Sequence, residues 1–92
     1  AADVSERIVI THGTDTMVDS ALHLLGIPDK TIVLTGALEP ARFRDTDATF
    51  NVGCAIGAVQ ALPPGVYIAM NGRIFEAGRV RKNYELGRFE EA

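Results

Sequence analysis

The stretch IVITHGTDTM, residues 8–17, decides the fold, because an apolar run passes directly into a polar turn and then into a helical pattern. The β-branched residues at its start favour a strand. Gly13 permits a tight backbone turn, and Thr14 and Asp15 stand where a helix begins. A strand that leads through a short loop into a helix is typical of an α/β protein.

Two further apolar runs, residues 31–35 and 66–70, also read as strands. None of the three runs alternates polar and apolar residues, which is the pattern of a parallel sheet covered by helices on both faces. Between the first two strands, residues 16–25 carry a helical apolar stripe, and Gly26 and Pro28 end it. The stripe consists of Met17, Val18, Ala21, Leu22 and Leu25.

A second helix is predicted over residues 48–62, with Thr46 or Asp47 as its cap and a Pro-Pro-Gly sequence at residues 63–65 as its end. It is apolar almost all round, so we expect another subunit or a further domain to cover it, and we expect a homo-oligomer. Its apolar residues include Phe50, Val52, Cys54, Ile56, Val59 and Leu62.

The order strand, helix, strand, helix, strand predicts an α/β fold with a three-layer, mainly parallel sheet and right-handed crossovers. The dipeptide Asn71-Gly72 predicts a hairpin that adds residues 73–75 as an antiparallel strand at one edge. No structure is predicted for residues 82–92. We expect residues 1–92 to form one domain.

Composition excludes several functions. With 47% apolar and 23% charged residues the chain is typical of a globular domain. Basic residues do not cluster with aromatic ones, so no nucleic-acid partner is expected. No apolar run approaches the ~20 residues of a membrane span, and no amino-terminal signal is visible, which leaves the compartment open with the cytoplasm preferred. Cys54 is the only cysteine, which excludes an internal disulfide, and we expect it to be buried.

Two loops follow the predicted parallel strands and therefore meet at the edge where such sheets bind ligands, residues 11–16 and 36–40. Thr14 and Asp15 in the first loop offer a hydroxyl and a carboxylate, but the same residues serve as ordinary helix caps. His12 is most simply a hydrogen-bonded structural residue, and Lys82 a solvated surface charge. No metal-binding or nucleotide-binding motif is present, so no cofactor and no metal are expected.

Several motifs resemble the bacterial L-asparaginase family, in the family's order. Residues 8–17 are similar to its second signature motif, an apolar strand followed by His-Gly-Thr-Asp-Thr-Met. The stretch Val33-Leu34-Thr35-Gly36-Ala37 followed by Pro40 resembles the next strand and loop. Asp47 with Phe50-Asn51 resembles its Asp-Gly-x-x-Asn helix start, and Met70-Asn71 followed by residues 78–82 resembles its hairpin and lysine segment.

This resemblance implies a catalytic group of Thr14, Asp15 and Lys82, with Asp15 also holding the α-amino group of the substrate. Ala37 would offer a backbone contact near the substrate amide. A lysine amine desolvated beside a hydroxyl can act as a base, and a carboxylate can orient it. The family's usual nucleophile, a threonine in a Gly-Gly-Thr motif assisted by a loop tyrosine, does not occur in these 92 residues.

Three functions follow from these observations. The first is an amidohydrolase domain, which in the complete family enzyme hydrolyses L-asparagine to aspartate and ammonia. We expect little or no turnover from the 92-residue chain, because losing a nucleophile from a cooperating group costs orders of magnitude in rate. The second is a non-catalytic remnant or assembly module of the same fold. The third is the amidase subunit of a transfer-RNA-dependent amidotransferase.

Overall fold

The computed structural model describes residues 6–27, 29–37 and 47–92. The motif residue Pro40, the helix-ending Pro28 and the possible cap Thr46 lie outside the described residues. In chain order the elements are β1 (Glu6–Thr11), a 3-10 turn η1 (Thr14–Thr16), α1 (Met17–Leu24), β2 (Lys30–Thr35), α2 (Ala48–Ala61), β3 (Gly65–Met70), β4 (Arg73–Glu76), β5 (Val80–Asn83) and β6 (Arg88–Glu91).

The central sheet has four strands in the order β1-β2-β3-β4. The first three are parallel, with Ile8 opposite Ile32 and Val33 opposite Tyr67. Strand β4 returns antiparallel through the turn at Asn71 and Gly72, both with positive φ. This confirms the predicted mixed α/β sheet with an antiparallel hairpin at one edge.

Successive strand residues pack on opposite faces of the sheet, because side chains alternate along a strand. One face joins α1 to a core that includes Leu34 and Ile68, and the other joins α2 to Val33 and Tyr67. The sheet therefore lies between two helical layers, as the apolar runs predicted. The buried strand residues are Ile32, Val33, Leu34, Val66, Tyr67, Ile68, Ala69 and Met70.

The crossover prediction was wrong for one of the two connections. Strands β1, β2 and β3 follow one another in one direction across the sheet, while α1 and α2 cover opposite faces. Two right-handed crossovers that step in the same direction would place both helices on the same face. One of the two connections is therefore left-handed, an exception that hydrophobic patterning cannot reveal because both faces are equally apolar.

Strands β5 and β6 form a separate antiparallel hairpin, most of which lies in residues 82–92, for which no structure was predicted. Val80 and Phe89 anchor it, since both are buried in the core on the α1 side of the sheet. Its strands are only four residues long and mostly charged, which explains why their pattern carries no clear strand signal. This hairpin brings the end of the chain back to α1.

Both helices form close to the predicted bounds, with differences in burial. Leu22 on α1 and Leu25 just after its end are exposed, although the stripe predicted them to be buried, and Leu24 packs against the core instead. On α2, Cys54 is half-buried rather than buried, because it lies beside the helix face that contacts the sheet. In the described part of the chain no helix has the length and apolar character needed to cross a membrane.

Candidate active site

The loops after β1 and β2 meet at the carboxyl ends of the parallel strands. The His12 backbone N–H donates to the Thr35 carbonyl at 2.8 Å, which extends the strand pairing by one step into the loops. Gly36 is required for this approach, because a Cβ built there would lie 2.2 Å from the His12 carbonyl oxygen. The predicted ligand-binding edge therefore depends on close backbone contact between the two loops.

Thr14 and Asp15 lie in η1, the short turn just before α1. Capping would have explained these residues without any function. The N-cap residues are Gly13 for η1 and Thr16 for α1, so neither Thr14 nor Asp15 is a cap. Thr16 itself makes no side-chain capping hydrogen bond. The Thr14 hydroxyl and the Asp15 carboxylate instead contact a residue from far along the chain.

Lys82 is that residue. Its Nζ donates to Thr14 Oγ1 at 2.9 Å and to Asp15 Oδ1 at 2.7 Å. The side chain of Lys82 is only 12% exposed, whereas that of Asp15 is 80% exposed. Lys82 is therefore not the solvated surface charge that it resembles in isolation, and the Asp15 carboxylate remains open to a ligand from solvent.

The register of the β5–β6 hairpin explains the direction of Lys82. Lys82 pairs with Phe89, and Val80 lies two residues before it, so all three side chains share the face turned towards the core. Arg81 and Asn83 point the other way and both donate to Glu90 Oε1. The buried anchors thus direct Lys82 inward to the loop after β1.

His12 fixes the backbone of the loop that carries Thr14. Its Nδ1 lies 2.7 Å from the Gly13 carbonyl oxygen, and its Nε2 lies 2.8 Å from Ser20 Oγ on α1. Since a carbonyl oxygen only accepts, Nδ1 carries a proton, and in the neutral ring Nε2 accepts from the serine hydroxyl. His12 is therefore a hydrogen-bonded structural residue here, tying the loop to α1.

Asn51 joins three segments at the same edge, a role that the sequence analysis missed. It is fully buried on α2, and its Nδ2 donates to the Gly36 carbonyl at 2.8 Å and to Asp47 Oδ2 at 3.1 Å. Its Oδ1 accepts from the Asn71 backbone N–H at 2.9 Å. The available signal was a single asparagine in an apolar helix, within the helix-start motif.

Ala37 follows Gly36 directly and is half-buried at this edge. Three of the four predicted site residues, Thr14, Asp15 and Lys82, are in direct contact, and Ala37 lies in the adjoining loop. Among the described residues no group of three or more His, Cys, Asp or Glu side chains is arranged to hold a metal ion. The chemistry that this edge offers is that of an amine, a hydroxyl and an accessible carboxylate.

Comparison with known proteins shows which family the chain resembles. The family model described as asparaginase, N-terminal, matches residues 1–88. An L-asparaginase from Thermococcus kodakarensis is 38% identical over 90 residues, which are 95% of this chain and 27% of that protein. A subunit of the glutamyl-tRNA(Gln) amidotransferase from Methanococcus vannielii is 39% identical over 72 residues, 76% of this chain and 17% of that protein.

A solved structure has the same fold. The crystal structure of a probable cytoplasmic L-asparaginase from Campylobacter jejuni superimposes with a TM-score of 0.80 and 36% sequence identity. The superposition covers 92% of this chain and 30% of that one. This chain thus spans less than a third of each of these relatives, and it belongs to the asparaginase family, within the amino-terminal domain.

Proposed function

We propose that Thr14, Asp15 and Lys82 are half of an amide-hydrolysing active site, in a protein that hydrolyses L-asparagine to aspartate and ammonia. The observation that carries the proposal is the contact of the Lys82 amine with both Thr14 Oγ1 and Asp15 Oδ1. Lys82 lies more than sixty positions along the chain from Thr14 and Asp15, and this polar contact adds nothing to the packing of the apolar core. We further propose that residues 1–92 form one structural domain.

Asp15, Thr14 and Ala37 have separate proposed roles. The Asp15 carboxylate, with one oxygen on Lys82 and most of its surface in solvent, pairs with the α-amino group of the amino acid. Thr14 accepts from Lys82, so its own hydroxyl proton is free to donate towards the substrate amide. Ala37 supplies backbone groups on the other side of the edge. In the reaction the oxygen of water forms a bond to the amide carbonyl carbon and the C–N bond breaks. The nitrogen leaves as ammonia, which takes the proton of the new carboxylic acid, so the products are a carboxylate and ammonium.

Several finer properties are proposals of the same kind. The substrate is a small amino-acid amide, and a cytoplasmic location is proposed from the description of the Campylobacter relative. The amidotransferase relative favours a second candidate, the amidase subunit of a transfer-RNA-dependent amidotransferase, which would use the same residues.

The test uses the 92-residue chain and L-aspartate, the product of the proposed reaction. We expect saturable chemical-shift changes at Thr14, Asp15 and Lys82 in a labelled chain. Lys82→Met and Asp15→Asn should weaken binding about tenfold or more, since a hydrogen bond to a charged group contributes about 1.5–3 kcal/mol. Ammonia release from asparagine should stay at the buffer blank, because the Gly-Gly-Thr nucleophile is not in this sequence.

Lys30→Met is the matched control. Lys30 is also a strand lysine in an ion pair, with Glu6 at 3.1 Å, but it lies at the start of β2 rather than at its carboxyl end. This variant should bind aspartate as the wild type does. The proposal fails if aspartate causes no saturable change in the wild-type chain, or if Lys30→Met weakens binding as much as Lys82→Met.

A further inference from the structure

Tyr84 contacts two of the proposed site residues and has no role in the function proposed above. It comes directly after β5, in the loop that leads to β6. The centroid of its ring lies 4.9 Å from Lys82 Nζ, within the range of a cation–π interaction. Its hydroxyl lies 3.4 Å from the Asp15 carbonyl oxygen. One side chain thus reaches from the amine to the backbone of η1.

The Lys82 ammonium group has three N–H donors, and the Tyr84 ring lies beside the one that has no hydrogen-bond partner among the described residues. Two are used by Thr14 Oγ1 and Asp15 Oδ1. The ring face of Tyr84 is a third electron-rich surface beside the amine, and it covers a side that water would otherwise occupy. This agrees with the low exposure of the Lys82 side chain, 12%, even though Tyr84 itself is 68% exposed.

We propose that Tyr84 is a positioning residue of the site, which holds the Lys82 ammonium group against Thr14 and Asp15 by a cation–π contact. The inference rests on the proposed function. The ring covers one side of the Lys82 amine, while the Asp15 side chain, 80% exposed, stays open to an amino-acid ligand.

The test measures how fast an amine-reactive acetylating reagent labels Lys82 in the ligand-free chain, with Lys30 in the same molecule as the internal reference. Only an amine that has lost its proton and its partners reacts. Tyr84→Leu should raise the Lys82 to Lys30 rate ratio about two- to fivefold, the factor that corresponds to an exposed cation–π contact. Tyr84→Phe, which keeps the ring, should stay close to the wild type.

Leu86→Ala is the matched control, because Leu86 is an exposed apolar residue of the same loop, 59% exposed, and should leave the ratio unchanged. Circular dichroism confirms that each variant is folded. Equal ratios for Tyr84→Leu and the wild type overturn the proposal. Equal elevation for Tyr84→Leu and Tyr84→Phe also overturns it, because the effect would then come from the hydroxyl and not from the ring.

A second labelling experiment, with L-aspartate present, tests the proposed function separately from the role of Tyr84. Saturating L-aspartate should slow the labelling of Lys82 and not that of Lys30. If aspartate gives no protection while Tyr84→Leu still raises the ratio, the proposed function fails and the contact between Tyr84 and Lys82 stands. If aspartate protects but the ratio is unchanged in Tyr84→Leu, the function stands and the role of Tyr84 is wrong.

Discussion

Gly36 occupies a position where the neighbouring backbone leaves no room for a side chain. The methyl group of Gly36→Ala would lie 2.2 Å from the His12 carbonyl oxygen, so the two loops would have to separate. We expect a loss of about 1–3 kcal/mol in the free energy of unfolding, the usual cost of overpacking. Urea denaturation measures it, and aspartate binding should weaken in parallel because the loop carrying Thr14 moves.

Gly53→Ala is the control for that substitution. Gly53 is exposed on α2, and no atom lies within 4 Å of an added Cβ. Replacing a glycine inside a helix by alanine should therefore raise stability by about 0.5–1 kcal/mol. A Gly36→Ala variant as stable as wild type would contradict the requirement for close contact between the two loops.

At the same scale, the resemblance grouped three residues that meet in the structure, but the sequence did not predict the hydrogen bonds that support them. Thr14, Asp15 and Lys82 were identified together only through the resemblance, since nothing in the local sequence around Lys82 distinguishes it from a surface lysine. Asn51 was read as part of a motif, without its three hydrogen bonds. Those partners come from loops distant in sequence, and a residue's local pattern carries no information about them.

Among the elements, the β5–β6 hairpin holds one carboxylate, that of Glu90, among basic and amide side chains. The hydrogen bond from Arg81 holds the pKa of Glu90 below its ordinary value, with further contributions from the Asn83 hydrogen bond and the charges of Arg81 and Arg88 that outweigh partial desolvation. A carboxylate whose pKa is lower in the folded state stabilises the fold above its unfolded-state pKa. That contribution is lost as the pH falls through the folded-state pKa.

Glu90→Gln should therefore lower the urea midpoint at neutral pH and have a smaller effect in acid. The difference between wild type and variant should narrow as the pH falls below the ordinary pKa of glutamate. Glu85→Gln, at an exposed position in the loop that joins β5 to β6, is the control and should follow the wild-type curve. A gap between wild type and Glu90→Gln that is constant across pH would show that the charge of Glu90 does not support the hairpin.

Strands were predictable from the sequence where most of the strand is buried. Strands β2 and β3 are buried throughout most of their length, and their apolar runs identify them unambiguously. The hairpin was missed because each of its strands buries a single apolar side chain, Val80 or Phe89. The handedness of the crossovers was missed for a different reason, since it depends on which face receives each helix and both faces are apolar.

For the whole molecule, the second helix leaves an apolar face in solvent. Its inner residues Ala55 and Val59 pack against the sheet, while Phe50 is 63% and Ile56 47% exposed on the outer side. The covering that its composition predicted is therefore not supplied by the described part of this chain. An exposed apolar surface of this kind is typical of an interaction site, and a second copy of the chain is the partner that we predict.

Sedimentation velocity over a range of concentrations tests this prediction. The wild-type chain should shift from its 9.9 kDa monomer to a larger species as concentration rises. A Phe50→Ser, Ile56→Glu double variant should remain monomeric, because a charge placed in an apolar contact costs its desolvation. Leu86→Glu places a charge at an equally exposed position on the β5–β6 loop and should associate as the wild type does. Association that is lost in Leu86→Glu but kept in the double variant would place the interface on the hairpin and not on α2. A wild-type chain that stays monomeric at every concentration would contradict the prediction of a second copy on α2.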